Sequence, residues 1–267
     1  MKLTAALTIG LAAVVSAKVS TEACSMLISK QIVNLYQSGF LGSYTGRCEK
    51  DDSGSGYASG YISFTTANGD ALEVIKIFSQ SANYTGVFDK YIDTLEKYAE
   101  SGSGSTEGLD GYCDAWLEAS SDLNFYPAQI AVANALYMNP SLQYAGKLKV
   151  EYAVSRAVLY DTAIVNGAGD DSDGLGGLIQ ATNAQFTKKA TGNSGSTLSI
   201  NGVKVDEMIW LSKFLDVRLS KNGAGDKANV DAYRYIIDQG HYDWNPSVKV
   251  PGPDGKMYTV DCSQLKN

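Results

Sequence analysis

The stretch CEKDDSGSGYASGYISF, residues 48–64, sets three carboxylates within four positions just before a glycine-rich turn. Paired carboxyl groups carry one kind of hydrolysis, in which a protonated carboxyl supplies a proton to the leaving group and a carboxylate activates water. Glu49, Asp51 and Asp52 are therefore either an ordinary solvated loop or the source of a catalytic base at the mouth of a cleft. Asp52 is the candidate base, against the alternative that it caps the turn at Ser53-Gly54.

The residues that other catalytic mechanisms require are missing from this chain. There is one histidine, His241, so a histidine-rich zinc site is excluded and a Ser-His-Asp triad would have to use it. No G-x-S-x-G motif accompanies it, and its surroundings, DQGHYDWNP, favour a structural role in a turn. No two cysteines have the C-x-x-C spacing of a metal site. Elimination leaves carboxylate chemistry, and we expect no metal and no cofactor.

The charge balance limits the class of partner. The 267 residues include 22 Lys and Arg against 29 Asp and Glu, a formal net charge of −7. Nucleic acid is disfavoured because its phosphates require a basic surface. A neutral or polycationic partner fits better, since opposite charge raises the local concentration of the ligand.

The first 17 residues, MKLTAALTIGLAAVVSA, have the pattern of a cleaved secretory signal peptide. Their apolar run is too short to span a bilayer, so we expect a secreted protein with no membrane partner and a single domain over residues 18–267. In an oxidising compartment an even number of cysteines indicates two disulfides, and the sequence leaves all three pairings open. The cysteines are Cys24, Cys48, Cys113 and Cys262.

The segments around the carboxylates predict how they are held. Apolar spacing predicts a helix over 23–38, alternation predicts a half-buried strand over 57–66, and ALEVIKIF after the turn at 67–70 predicts a buried helix. Residues 101–111 form a flexible connection. Residues 166–177 depart from both the dinucleotide and the EF-hand pattern, which favours a plain loop. Further helices are predicted over 125–138, 144–166, 206–221 and 230–238, which makes the class α+β, mainly α.

Together these residues resemble a known pattern. Tyr44, then Asp52 after seven intervening residues, a glycine turn, an apolar strand and Asp70 are similar to the signature of the family 46 glycoside hydrolases, the chitosanases. SRAVLYDTAIVNGAG at 155–169 resembles the central helix of that family, and LSKFLDVRLSK resembles the helix that delivers Arg218. Trp116 also falls at the spacing of the family, 24 residues before Pro140.

The resemblance implies a lysozyme-like, two-lobed fold with a cleft and a small β-sheet on one wall. It also implies internal cleavage of chitosan with inversion, for which two carboxyl groups stand about 6.5–9.5 Å apart across the scissile bond. In this pattern Asp52 is the general base and a Glu at the end of the first helix is the general acid. Residues 23–48 contain no Asp or Glu, and Gln31 and Asn34 are the polar residues nearest the expected place.

Two carboxylates are open as replacement acids. Glu49 is the nearest Glu, but in an extended segment its side chain and that of Asp52 would point to opposite faces. A solvated or Arg-paired Glu49 is the competing interpretation. Glu22 would have to fold back over the cleft from the mature N-terminus.

Candidate substrate-binding residues surround the motif. Asp70 either receives a glucosamine amine or caps a turn, and Tyr57, Tyr61 and Trp116 either stack on sugar faces or pack internally. Asp161 and Arg218 lie in apolar helical surroundings, where a charge is costly unless it is paired. We therefore expect them to form a buried structural ion pair, with an electrostatic relay to the acid as the alternative.

Three functions follow in order of support. The first is a secreted, monomeric endo-hydrolase of β-1,4-linked glucosamine in chitosan. The second, from another class, is a catalytically silent protein that binds chitosan or chitin oligomers, since the acid is missing from its usual place. A muramidase is disfavoured because peptidoglycan and this chain are both anionic.

Overall fold

The computed structural model describes residues 22–244 and 246–263. The predicted signal peptide, residues 1–17, lies outside the described residues. Backbone contacts divide the chain into two compact units, one comprising Val33–Pro140 and the other comprising the residues up to Ile32 and from Ser141 onward. Both units are helical with short antiparallel sheets, so the class is α+β, mainly α, as the sequence predicts.

The Val33–Pro140 unit holds the carboxylate motif on a three-stranded antiparallel sheet in the order β1-β2-β3. Cys48 lies opposite Ser59 and Lys50 opposite Tyr57, so the motif leaves the sheet directly after β1. A helix covers residues 22–38 (α1) and ends in this unit. Its other elements are β1 (Cys48–Lys50), β2 (Tyr57–Ser59), β3 (Phe64–Thr65), α2 (Asp70–Phe78), α3 (Ile92–Ser101), α4 (Tyr112–Ala119) and α5 (Phe125–Ala133), followed by a π-helical turn (Asn134–Met138).

The single strand predicted over 57–66 is wrong in one respect, because the chain reverses within it. β2 and β3 pair antiparallel, with Ser59 opposite Phe64. The turn between them uses left-handed backbone at Gly60 (φ 74°) and Ser63 (φ 59°). A Cβ on Gly60 would lie 2.6 Å from Oε1 of Gln129, so the close approach of that side chain also requires glycine. Tyr61 consequently lies in a buried turn and not on a strand face.

The other unit is built around α7, whose residues from Ala153 to Ala163 are nearly all buried. The helix predicted over 144–166 is interrupted there, because Lys149 adopts a left-handed backbone (φ 60°) between α6 and α7. Two β-hairpins and α8 were not predicted. The elements are α6 (Asn139–Leu148), α7 (Ala153–Asn166), α8 (Leu175–Asn183), β4 (Thr197–Ile200), β5 (Val203–Asp206), α9 (Glu207–Asn222), α10 (Lys227–Asp238), β6 (Ser247–Pro251) and β7 (Met257–Asp261).

Each unit carries one disulfide. Cys48 at the start of β1 is bonded to Cys113 in α4, and Cys24 in α1 is bonded to Cys262 after β7. The structure thus chooses one of the three pairings that the sequence left open. Among the described residues, no helix combines the length and apolar character needed to cross a bilayer.

Candidate active site

Asp51 builds the turn that follows β1. Its Oδ2 accepts hydrogen bonds from the hydroxyl of Ser53 and from the backbone N–H of Ser55, the latter at 3.0 Å. Its own N–H donates to the carbonyl of Gly56 at 2.8 Å. Partial burial opposes the charged form, but the hydrogen bonds from Ser53 and Ser55 outweigh it and lower the pKa of Asp51. Asp51 therefore has a structural role, as carboxylates often do in turns.

Asp52 stands next to it with different surroundings. Its side chain is exposed, and it makes no hydrogen bond or ion pair with any residue in the described part of the chain. Because Asp51 supplies the acceptor that the turn needs, the turn-capping alternative for Asp52 is not what the structure shows. A carboxylate in this state has both oxygens available to water and to a ligand.

Glu49 is engaged by an arginine. Arg47 and Glu49 are two residues apart in an extended segment, so their side chains share a face, and the guanidinium forms an ion pair with the carboxylate. The other terminal nitrogen of Arg47 donates to the carbonyl of Gln37 and to the hydroxyl of Ser63, each at 2.6 Å. The guanidinium thus occupies an oxygen of Glu49 that a general acid would turn towards the leaving group.

The amides near the expected acid also have identifiable places. Gln31 is buried and donates to the carbonyl of Asp261 at 2.6 Å, and Asn34 is buried with its amide 3.5 Å from the carbonyl of Leu41. Gln37, which the sequence reasoning did not consider, is half-buried near the end of α1 and is tied through its carbonyl to Arg47. Glu22 is exposed at the first described residue of α1.

Asp70 is buried at the first turn of α2. Oδ1 accepts from the N–H groups of Thr65 and Ala71, at 2.7 and 2.9 Å, and Oδ2 accepts from the hydroxyl of Tyr137 at 2.7 Å. Burial raises the pKa of Asp70 to about 6, although these three hydrogen bonds oppose the shift. The carboxylate thus ties β3 to α2 and to the π-helical turn, and a ligand amine would have to compete with Tyr137 for Oδ2.

The raised pKa of Asp70 predicts a pH-dependent contribution to stability. Since the folded-state pKa lies above the unfolded value of about 3.9, the fold binds this proton more tightly, and stability falls as pH rises from about 4 to about 7. We expect the free energy of unfolding of wild type to fall by roughly 2–3 kcal/mol more over that interval than that of Asp70→Asn, a substitution that keeps the acceptor Oδ1. Urea unfolding of both proteins at several pH values measures this difference. Glu73→Gln, at an exposed position of the same helix, is the control, and because it keeps Asp70 it loses stability over the interval as wild type does.

The predicted aromatic residues are held internally to different degrees. Trp116 is fully buried, and its indole N–H donates to the carbonyl of Thr45 at 2.9 Å. Tyr61 is buried in its turn, edge-on to Phe64. Stacking on a sugar is therefore not what the structure shows for Trp116 and Tyr61, because neither presents a face to solvent. Tyr57 is half-buried, with one face stacked on Tyr112 at a centroid distance of 5.4 Å.

The ion pair predicted between Asp161 and Arg218 is present and is part of a larger network. The guanidinium donates to Oδ2 of Asp161 at 2.5 Å and, through two nitrogens, to both oxygens of Asp226 at 2.7 Å. Thr162, Asn222 and Asn229 also hydrogen-bond within the network. Burial opposes the charge on Arg218, but the two carboxylates outweigh it and raise the pKa of the guanidinium. This network binds α7, α9 and the segment before α10 together.

No group of three or more His, Cys, Asp or Glu side chains in the described ranges has an arrangement that could hold a metal ion. At the motif itself, the functional groups are its carboxylates. Asp52 is free to act on a ligand, Asp51 shapes the turn, and Glu49 is paired.

Curated relatives share most of this chain. It is 33% identical over 233 residues to a chitosanase of Bacillus subtilis strain 168, which covers 83% of this chain and 80% of that protein. It is 28% identical over 202 residues to a chitosanase of Streptomyces sp. strain N174, covering 73% of this chain and 67% of that one.

Solved structures give the same result for the fold. A mutant chitosanase of Bacillus subtilis MY002 in complex with six glucosamine units is 31% identical, with a TM-score of 0.77, and the match covers 89% of this chain and 98% of that one. A chitosanase of Gynuella sunshinyii in complex with chitotetraose is 28% identical, with a TM-score of 0.78 and the same coverage. The profile of glycosyl hydrolase family 46 matches residues 40–248, which include every element from β1 to α10. The chain belongs to glycosyl hydrolase family 46.

Proposed function

We propose that this protein is a secreted chitosanase that cleaves β-1,4-linked glucosamine internally and with inversion, with Asp52 as the general base. The observation that carries the proposal is the state of the three motif carboxylates, of which Asp52 alone is exposed and without a partner among the described residues. Membership of family 46 and the names of the relatives support the substrate class. The pattern of residues 1–17 supports secretion. In this proposal residues 18–267 form the catalytic domain, and the protein acts as a monomer.

In this mechanism Asp52 removes a proton from the water that attacks the anomeric carbon, on the face opposite the leaving group. The bond to the glycosidic oxygen breaks as that oxygen receives a proton from an acid on the other side of the sugar. Glu49 is the nearest Glu in the chain and is the candidate donor of that proton, although its carboxylate is paired with Arg47.

Proton NMR of freshly digested glucosamine hexamer tests the proposal. Attack by water with inversion at a β-linked sugar releases the α-anomer first, before mutarotation mixes the two forms. A β-anomer as the first product would contradict inversion. Absence of new reducing ends would contradict the enzyme itself.

A catalytically silent binder is the second candidate. The observations that favour it are the ion pair between Glu49 and Arg47 and the presence of amide side chains, and no Asp or Glu, in residues 23–48. Such a protein binds the same oligomers without releasing product. The reducing-end measurement separates the two functions.

Both functions predict the same dependence of binding on ligand charge. The amines of chitosan lose their protons as pH rises, while exposed carboxylates of an acidic protein remain charged, so attraction falls from the ligand side. Added salt weakens binding as well, because charges in solution are screened over about 10 Å at 0.1 M. Calorimetry with glucosamine and N-acetylglucosamine hexamers at mildly acid pH measures the effect. Tighter binding of the acetylated hexamer would contradict the charge argument.

A further inference from the structure

The exposed aromatic side chains of this protein are few and lie on one loop and one neighbouring helix. The chain has 17 tyrosines, 7 phenylalanines and 3 tryptophans, all at described positions. Nearly all are buried or half-buried, but Phe40, Tyr44 and Tyr126 are 58%, 48% and 42% exposed. Phe40 and Tyr44 belong to the connection from α1 to β1, and Tyr126 lies in the first turn of α5.

These three side chains form one surface, here called the aromatic patch. The rings of Phe40 and Tyr44 meet edge to face at a centroid distance of 6.0 Å. The hydroxyl of Tyr126 is 3.2 Å from that of Ser43, the residue before Tyr44. The ring of Tyr126 also meets the buried Tyr61 edge to face at 6.0 Å. Tyr126 is therefore held by a contact to the core, and Phe40 and Tyr44 contact each other on the neighbouring loop.

Several aromatic rings at one exposed place indicate a binding surface, since soluble proteins cover apolar patches or use them for binding. The patch lies in the same unit as Asp52 and on the segment that leads into β1. Asp52 follows Tyr44 by eight positions, so their Cα atoms are about 30 Å apart at most. An oligosaccharide of several rings covers such a distance.

We propose that Phe40 and Tyr126 bind pyranose rings of a glucosamine oligomer by stacking, and so extend the substrate-binding surface of the proposed chitosanase. The inference rests on the proposed function and names further residues for it. Pyranose rings carry C–H groups on their faces, and aromatic faces are negative, so the two surfaces attract. The ammonium groups of the ligand strengthen this attraction.

Charge favours this occupant over a second copy of the chain. Two copies with a net charge of −7 repel each other, whereas a polycationic oligomer is attracted. Aromatic rings also suit a ligand with alternating polar edges and apolar faces, because they supply rigid contact area with little loss of conformational entropy.

The test is calorimetry with glucosamine hexamer in the Asp52→Asn background, in which hydrolysis is expected to be about 10²–10⁴-fold slower. Phe40→Ala and Tyr126→Ala are compared with the Asp52→Asn parent, and Leu123→Ala is the matched control, since Leu123 is an aliphatic side chain in the same unit that is 91% exposed. We expect Phe40→Ala and Tyr126→Ala each to weaken binding of the hexamer about fivefold to tenfold, and Phe40→Trp to bind it as tightly as the parent does. Leu123→Ala leaves it unchanged. Thermal unfolding of each variant confirms that the fold is kept.

The outcomes separate this inference from the function on which it rests. If the parent binds the hexamer and the alanine variants bind it equally well, the stacking role is wrong while the proposed function stands. If the parent binds no glucosamine oligomer, the proposed function fails and this inference fails with it. If sedimentation shows that the parent self-associates and Phe40→Ala is monomeric, the patch is an interface between copies, which overturns the proposal.

Discussion

Asp52→Asn is expected to reduce chitosan hydrolysis by about 10²–10⁴-fold, the range by which a positioned acid or base accelerates a reaction. Asparagine has nearly the same shape and cannot accept the proton of the attacking water. Because Asp52 is exposed and bonds to no described residue, the substitution leaves the free energy of unfolding nearly unchanged. Release of reducing ends from soluble chitosan, together with urea unfolding, measures both effects.

Two neighbouring carboxylates are the controls. Asp51→Asn keeps one acceptor oxygen for the turn, so we expect a loss of stability of about 1 kcal/mol or less and a mild loss of activity. Glu49→Gln removes the ion pair with Arg47. If Glu49 supplies the leaving-group proton, this variant loses as much activity as Asp52→Asn, and otherwise it stays active. An equal loss in Asp51→Asn and Asp52→Asn would show that the base has been placed on the wrong residue.

Arg218→Met is expected to destabilise the fold by about 3–5 kcal/mol. The substitution keeps most of the apolar stem but leaves Asp161 and Asp226 buried without their counter-charge. Arg234→Met is the matched control in the same unit. Arg234 also pairs with two carboxylates, Asp216 and Asp231, but it is 34% exposed, and exposed pairs contribute about 0–1 kcal/mol.

The deficit of Arg218→Met also depends on pH. Burial raises the pKa of Asp161, and without the guanidinium nothing of opposite charge counters that shift. When the folded-state pKa of a carboxyl is raised, the protein becomes less stable as pH rises. The loss of stability caused by Arg218→Met is therefore smaller near pH 4 than near pH 7. Chemical unfolding at the two pH values measures it. Equal destabilisation by Arg218→Met and Arg234→Met would contradict the account of the buried network.

The helices and their apolar faces were largely readable from the sequence. The helix expected over 23–38 covers 22–38, the one expected over 206–221 is α9, and ALEVIKIF lies within α2. These segments have a strong apolar period, so burial and local propensity favour the same structure. The apolar pattern predicts one strand over 57–66 and one helix over 144–166, because the positions of apolar residues do not reveal a left-handed backbone such as that of Ser63 or Lys149.

By itself the sequence determined the family pattern, the α-rich class, the acidic balance, the absence of Asp and Glu between residues 23 and 48, and Asp52 as a candidate base. These properties depend on residue type and spacing, which are local. Only the tertiary structure decided which carboxylate is free. Asp51 is engaged by Ser53 and Ser55, Glu49 by Arg47, and Asp70 by burial and Tyr137. The tertiary structure also decided that Trp116 lies in the core while Phe40 and Tyr126 lie at the surface, because exposure is set by packing partners from segments far apart in the chain.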